Sequence, residues 1–149
     1  MADEARMGGG VPEGVPGRMQ GVGRVVQGLG VGERLAVLGA AGVLVVWFVF
    51  GLLTRDYGVG QVPFILAVGL LFLAYRHHMQ KAPDWSMSYA TLVIVLAGLL
   101  GVIGVRELLL DLRYEIYDAG TGPMLGAVLF WVTAIAAGVG AFQMATMRR

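Results

Sequence analysis

The stretch Leu35 to Thr54, LAVLGAAGVLVVWFVFGLLT, runs for 20 residues without an Asp, Glu, Lys or Arg. A helix that crosses the hydrocarbon core of a bilayer needs about 20 mostly apolar residues, and only helices and closed barrels satisfy the backbone in lipid. Three more charge-free windows follow, Gly58 to Tyr75, Ser86 to Val105 and Ala119 to Met147. The whole chain of 149 residues is 57% hydrophobic and 14% charged, where soluble domains carry about 25% charge. Its mean hydropathy is +0.74. The pattern predicts an all-α integral membrane protein, a four-helix transmembrane bundle of two hairpins with spans near 35–53, 59–75, 89–105 and 124–144. The second span is the short one. Its dense core, VPFILAVGLLFLAY from Val62, is short enough for a re-entrant segment, but Pro63 suits the first turn of a helix, where its missing N–H is no loss.

Topology follows from the basic residues, because cytoplasmic loops collect Lys and Arg near the span ends. With the amino terminus inside, Arg6, Arg18, Arg24, Arg34, Arg76, Lys81, Arg148 and Arg149 are cytoplasmic, and Arg55, Arg106 and Arg113 lie outside. Both termini are then expected in the cytoplasm of a cell-membrane protein, with Arg34, Arg76, Lys81, Arg148 and Arg149 as topology anchors. Tyr57, Tyr75, Trp85 and Tyr89 fall where aromatic rings favour the headgroup region. Trp47 and Trp131 lie deeper and are expected to pack between helices.

Residues 1–33 form a Gly/Pro-rich lead in which glycine's ordering entropy is not offset by any periodic apolar pattern, so a flexible cytoplasmic tail is expected before a membrane domain over 34–149. Its GVGRVVQGLGVG run resembles GxGxxG only in spacing; without a preceding strand it is a linker. No cleavable leader is expected, the first span serving as its own insertion signal.

Small residues are patterned on the later spans. Ala127, Ala134, Gly138, Ala141 and Ala145 share one helical stripe of the fourth span, and Ala90, Ala97, Gly101 and Gly104 share one on the third. The first span adds Ala36, Gly39 and Ala40. Such stripes let helix backbones approach closely in lipid, either within the bundle or against a second copy or another subunit.

Between the last two spans, Glu107, Asp111, Glu115 and Asp118 recur at spacings of 4, 4 and 3. They form an acidic face opposite Val105, Leu109, Leu112 and Ile116, so residues 106–118 read as a short amphipathic extracytoplasmic helix extending span three. The alternation in LRYEIY is the rival, a strand. The acidic face is expected to be solvated, since one straight helix cannot wrap a calcium ion with the six to eight oxygens it takes.

The only two histidines, His77 and His78, stand in RHHMQKAPDW, Arg76 to Trp85, and there is no cysteine. Adjacent side chains diverge by about 100° on a helix, whereas a helical zinc pair is spaced i, i+4. No metal or haem ligation is therefore expected, and the segment reads as a cytoplasmic turn that fixes orientation. The four spans contain no ionisable side chain, which removes the usual marker of a proton or ion path. No nucleophilic, acid-base, phosphate or nucleic-acid motif keeps its required context. No catalytic residue, cofactor or nucleic-acid partner is expected. The reading is a small non-catalytic multi-pass protein, a structural, accessory or assembly subunit that works by helix association within the lipid bilayer, as a homo-oligomer or in a larger membrane complex. The alternative is a homo-oligomeric channel or transporter for a neutral or apolar solute. A membrane-interface enzyme comes third and requires a site at Arg76 to Trp85.

Overall fold

The computed structural model describes residues 29–53, 61–79, 87–113 and 120–147. Among these the chain forms four helices and no strand: α1 (Val31–Leu53), α2 (Gln61–Met79), α3 (Tyr89–Arg113) and α4 (Thr121–Thr146). At 1.5 Å per residue even α2, with 19 residues, is about 28 Å long. All four are long and apolar enough to cross a membrane. The glycine-rich lead through residue 28, most of LRYEIY, and Lys81, Glu115, Asp118, Arg148 and Arg149 lie outside the described residues.

Each helix is longer than the span expected for it. α1 starts at Val31 and takes in Glu33 and Arg34; α2 continues to Met79 and takes in Arg76, His77 and His78. The histidines are thus the last turn of a helix, not part of a turn between helices. The reason is electrostatic: Glu33 sits in the first turn of α1 and Arg76 in the last turn of α2, where each charge complements the helix dipole. α3 is one helix of 25 residues that carries the expected outer segment as far as Arg113.

The local signals at the helix starts are conventional. Ser88 precedes α3, and its Oγ accepts from the Thr91 backbone N–H at 3.3 Å, satisfying a donor the first turn leaves open. Before α4, Gly120 has φ +92°, a conformation other residues rarely adopt. Thr133 donates its hydroxyl to the Leu129 and Phe130 carbonyls within its own helix, so it presents no free polar group.

The helices alternate in direction. α4 packs most extensively, against α1 and α3, while α2 leans more thinly on α1 and α3. The core is apolar throughout: Phe130, Leu70, Leu100, Val43 and Val93 are its largest fully buried side chains, and among the described residues no polar or charged residue is buried. The outward faces are apolar too, with Val45, Phe48, Phe72, Val102 and Phe142 all exposed. A surface of that kind suits lipid rather than water.

The small-residue stripes are consumed inside the bundle. A Cβ on Gly101 would stand 2.6 Å from the Gly138 Cα, and one on Gly104 2.7 Å from the Ala134 Cβ, so α3 and α4 meet backbone to backbone. Ala97, Ala127 and Ala141 are buried beside this seam, Ala90 is half-buried and Ala145 is exposed. A second seam joins α1 to α4. A Cβ on Gly39 would lie 2.6 Å from both the Thr133 carbonyl oxygen and the Ala137 nitrogen, and one on Gly140 would meet the Gly32 carbonyl and Ala36 nitrogen. The single stripe expected on α4 is therefore two, with Ala134 and Gly138 facing α3 and Ala137 and Gly140 facing α1.

Candidate functional site

Among the described residues, the polar side chains that pair with one another gather at the bundle ends. At the end where α1 and α3 begin and α2 finishes, Glu33 is the centre. The Tyr89 hydroxyl donates to Glu33 Oε1 at 2.5 Å, and His78 Nε2–H donates to the same oxygen at 2.9 Å. The first distance is that of a charge-assisted bond, roughly twice as strong as a neutral one. One carboxylate oxygen thereby ties the first turn of α1 to the last turn of α2 and the first residue of α3. The Glu33 side chain is 16% exposed and that of His78 27%, so water competes only weakly for these bonds.

The aromatic rings complete the clasp. His77 stacks on Tyr89 with centroids 3.8 Å apart and planes 3° from parallel, while His78 meets the same ring edge-on at 6.0 Å and 90°. The two imidazoles are themselves nearly perpendicular, at 87°. Adjacent positions on a helix force that divergence; one ring goes to the tyrosine face and the other to the carboxylate. Among the described residues no three His, Asp or Glu side chains converge as metal ligands. Arg76 lays its guanidinium 5.8 Å from the Phe72 ring centroid, a cation–π contact within α2.

An imidazole aligned by a carboxylate is half of an acid–base device. Here the carboxylate oxygen is already shared with a phenol, and the hydroxyls of Ser88 and Thr91 at the start of α3 bond each other at 2.9 Å. The arrangement fastens helices; it presents no activated nucleophile.

The opposite end is built from separate local pairs. Asp111, expected on a solvated acidic face, accepts a hydrogen bond from Trp131 Nε1 at 2.9 Å, linking α3 to α4. A buried indole needs an acceptor for its N–H, and Trp131 is 8% exposed. Glu107 accepts from Arg106 Nη1 at 2.6 Å, an exposed neighbour pair. Trp47 and Phe64 pack with ring centroids 4.4 Å apart where α1 ends and α2 begins.

By sequence Arg34 and Arg76 are anchors, Glu33 belongs to the tail and Tyr89 to the lipid interface, so the clasp is not among the sequence expectations. A signal was present. Alternating spans put the start of the first, the end of the second and the start of the third at one membrane boundary, so Glu33, His78 and Tyr89 share a depth. No protein-family model, curated protein or solved structure matches this chain.

Proposed function

We propose that this chain is a small multi-pass membrane subunit that acts through helix association rather than through chemistry at an internal site. The observation that carries the reading is the dry core: the residues filling the bundle from Val43 to Phe130 are apolar, and none of the buried residues described is polar or charged. A path for a charged solute through one copy needs carbonyl or charged lining, and the tight Gly and Ala seams of α4 with α1 and α3 close the bundle instead. The polar side chains at the ends add to this by locking helices together. Such a body is a rigid element for a larger assembly in the cell membrane, with its termini on the cytoplasmic side by the charge bias of the chain.

The test is crosslinking in native membranes followed by purification in a mild detergent. A defined oligomer or a stoichiometric membrane partner is expected. A strictly monomeric product with nothing crosslinked to it sinks the reading, and solute flux through liposomes holding the chain alone replaces it with a channel or transporter.

A further inference from the structure

The outer surface where α3 crosses α4 is not flush. The two helices touch at Gly101 and Gly138, and because neither residue has a side chain the seam is the floor of a groove of about 420 Å³. Val102 and Val105 form one wall, Val139 and Phe142 the other. Gly98 extends the floor, and a Cβ there would meet nothing within 4 Å. A second hollow of about 430 Å³ shares Val102 and Val105 and carries the groove along α3 to Arg106, Leu109 and Arg113. Each volume falls within the roughly 300–1,000 Å³ of ligand pockets.

The two ends of this groove differ chemically. At the outer end two guanidinium groups lie on its edge, Arg106 and Arg113, seven residues apart and so on one face of α3. Arg106 shares its charge with Glu107 at 2.6 Å and keeps its side chain 68% exposed; Arg113 is exposed and makes no hydrogen bond or ion pair among the described residues. At the inner end stands Phe142, 69% exposed. The antiparallel contact of Gly101 with Gly138 sets Phe142 level with Ala97, about 13 Å below Arg106 at 1.5 Å per residue. Half of a hydrocarbon core is about 15 Å. The groove is one leaflet deep, apolar in its length and cationic at its mouth.

We infer that this groove binds an anionic phospholipid, its acyl chain lying over Gly98, Gly101 and Gly138 and its phosphate meeting Arg106 and Arg113. A partner helix is the other apolar occupant to consider, and the geometry disfavours it. A spanning helix needs a seam through both leaflets, whereas the lining of this groove ends at Gly98 and Phe142, and the two guanidinium groups at its mouth suit a headgroup phosphate. Arginine forks match phosphate oxygens two at a time. The inference is independent of the subunit reading, since a lipid site is filled whether or not the chain has protein partners.

The experiment is native mass spectrometry of the full chain in mild detergent, offered equal amounts of phosphatidylglycerol and phosphatidylcholine with matched acyl chains. Each basic residue near a membrane surface favours an anionic headgroup by a few-fold, so a preference of roughly tenfold for phosphatidylglycerol is expected. The double variant R106Q/R113Q brings the ratio to about one while total lipid retention falls less. Gly98→Leu, which has room for its side chain but fills the groove, lowers retention of both lipids. Equal retention of the two lipids by the native chain overturns the inference. So does a preference that survives R106Q/R113Q. A native dimer that Gly98→Leu splits, without lipid selectivity, assigns the groove to a second copy and likewise overturns it. Circular dichroism of all variants confirms that they are folded.

Discussion

α4 and α2 are both span-length helices, yet they are held by opposite means. α4 buries 39% of its most apolar window against the other helices and α2 only 22%. α4 is fixed by absence of side chain: Gly138 and Gly140 bring its backbone against those of α3 and α1. α2 makes no such approach; a Cβ at its central Gly69 would meet only the Leu96 Cδ1 at 3.8 Å. What secures α2 near its end is the side-chain clasp of His78 and Glu33. In lipid, where apolar burial gives little drive for helix pairing, close packing and hydrogen bonds remain, and this bundle assigns one to each helix.

The largest effect is expected where the backbone contact is closest. In Gly140→Ala the new methyl group would occupy the space of the Gly32 carbonyl and the Ala36 nitrogen, and backbone cannot rotate away as a side chain can. Overpacking in a well-packed interior costs about 1–3 kcal/mol, and here α1 must shift bodily. Thermal unfolding in detergent should show a large drop in midpoint for Gly140→Ala and for Gly39→Ala. Near-native midpoints for both would mean that α1 and α4 are not in contact at these glycines, and the contrast with α2 would lose its first half.

Next comes the clasp. Glu33→Ala removes the acceptor of both Tyr89 and His78 at once and leaves the part-buried Tyr89 hydroxyl without its partner, at about 1–3 kcal/mol for an unsatisfied group. The loss is expected to concentrate in α2: hydrogen exchange should accelerate in its last two turns with little change in α4. His78→Ala should do less, because Glu33 keeps the Tyr89 hydroxyl. Uniform acceleration across all four helices would show that the clasp supports the whole bundle rather than α2, and that the two helices do not differ as described.

A smaller effect is expected at the opposite end. Trp131→Phe keeps an aromatic ring in the α3–α4 seam but removes the N–H that Asp111 accepts, a net loss of about 1 kcal/mol. Asp111→Ala in the native background should shift the tryptophan emission, while the same change in a Trp131→Phe background should not. A double-mutant cycle with no coupling between the two positions would mean the bond is not formed.

How much of this was legible before the fold was known varies by physical cause. The four spans follow from the lack of charge alone, a one-dimensional property. The helix ends at Glu33, Arg34 and Arg76 to His78 are not legible in the same way, because charge reads as loop, although a first or last turn at the membrane boundary accommodates charge when the side chain reaches water or a partner. Gly101 and Gly104 on one helix and Ala134 and Gly138 on the other stand out as small-residue stripes, but their spacing does not say that the two stripes meet. The α1–α4 seam is less legible still, because a helix with small residues on several faces has no unique stripe, and only its rotation shows that Ala137 and Gly140 face α1. Asp111 and Trp131 are each ordinary in sequence. Their bond depends on how two helices are turned toward each other, which no spacing within one helix encodes.

The smallest expected effect completes the comparison of α4 with α2, and it uses the same substitution as the largest. Gly69→Ala places a methyl at ordinary van der Waals distance from the flexible end of Leu96, so no backbone has to move. Alanine is also the better helix former, by up to about 1 kcal/mol in a helix interior in water. The sign should therefore reverse: Gly140→Ala lowers the unfolding midpoint, and Gly69→Ala leaves it unchanged or raises it by a few degrees. If both glycines tolerate alanine equally, close backbone approach is not what distinguishes the two helices; if both are intolerant, α2 sits nearer to α3 than its packing here allows.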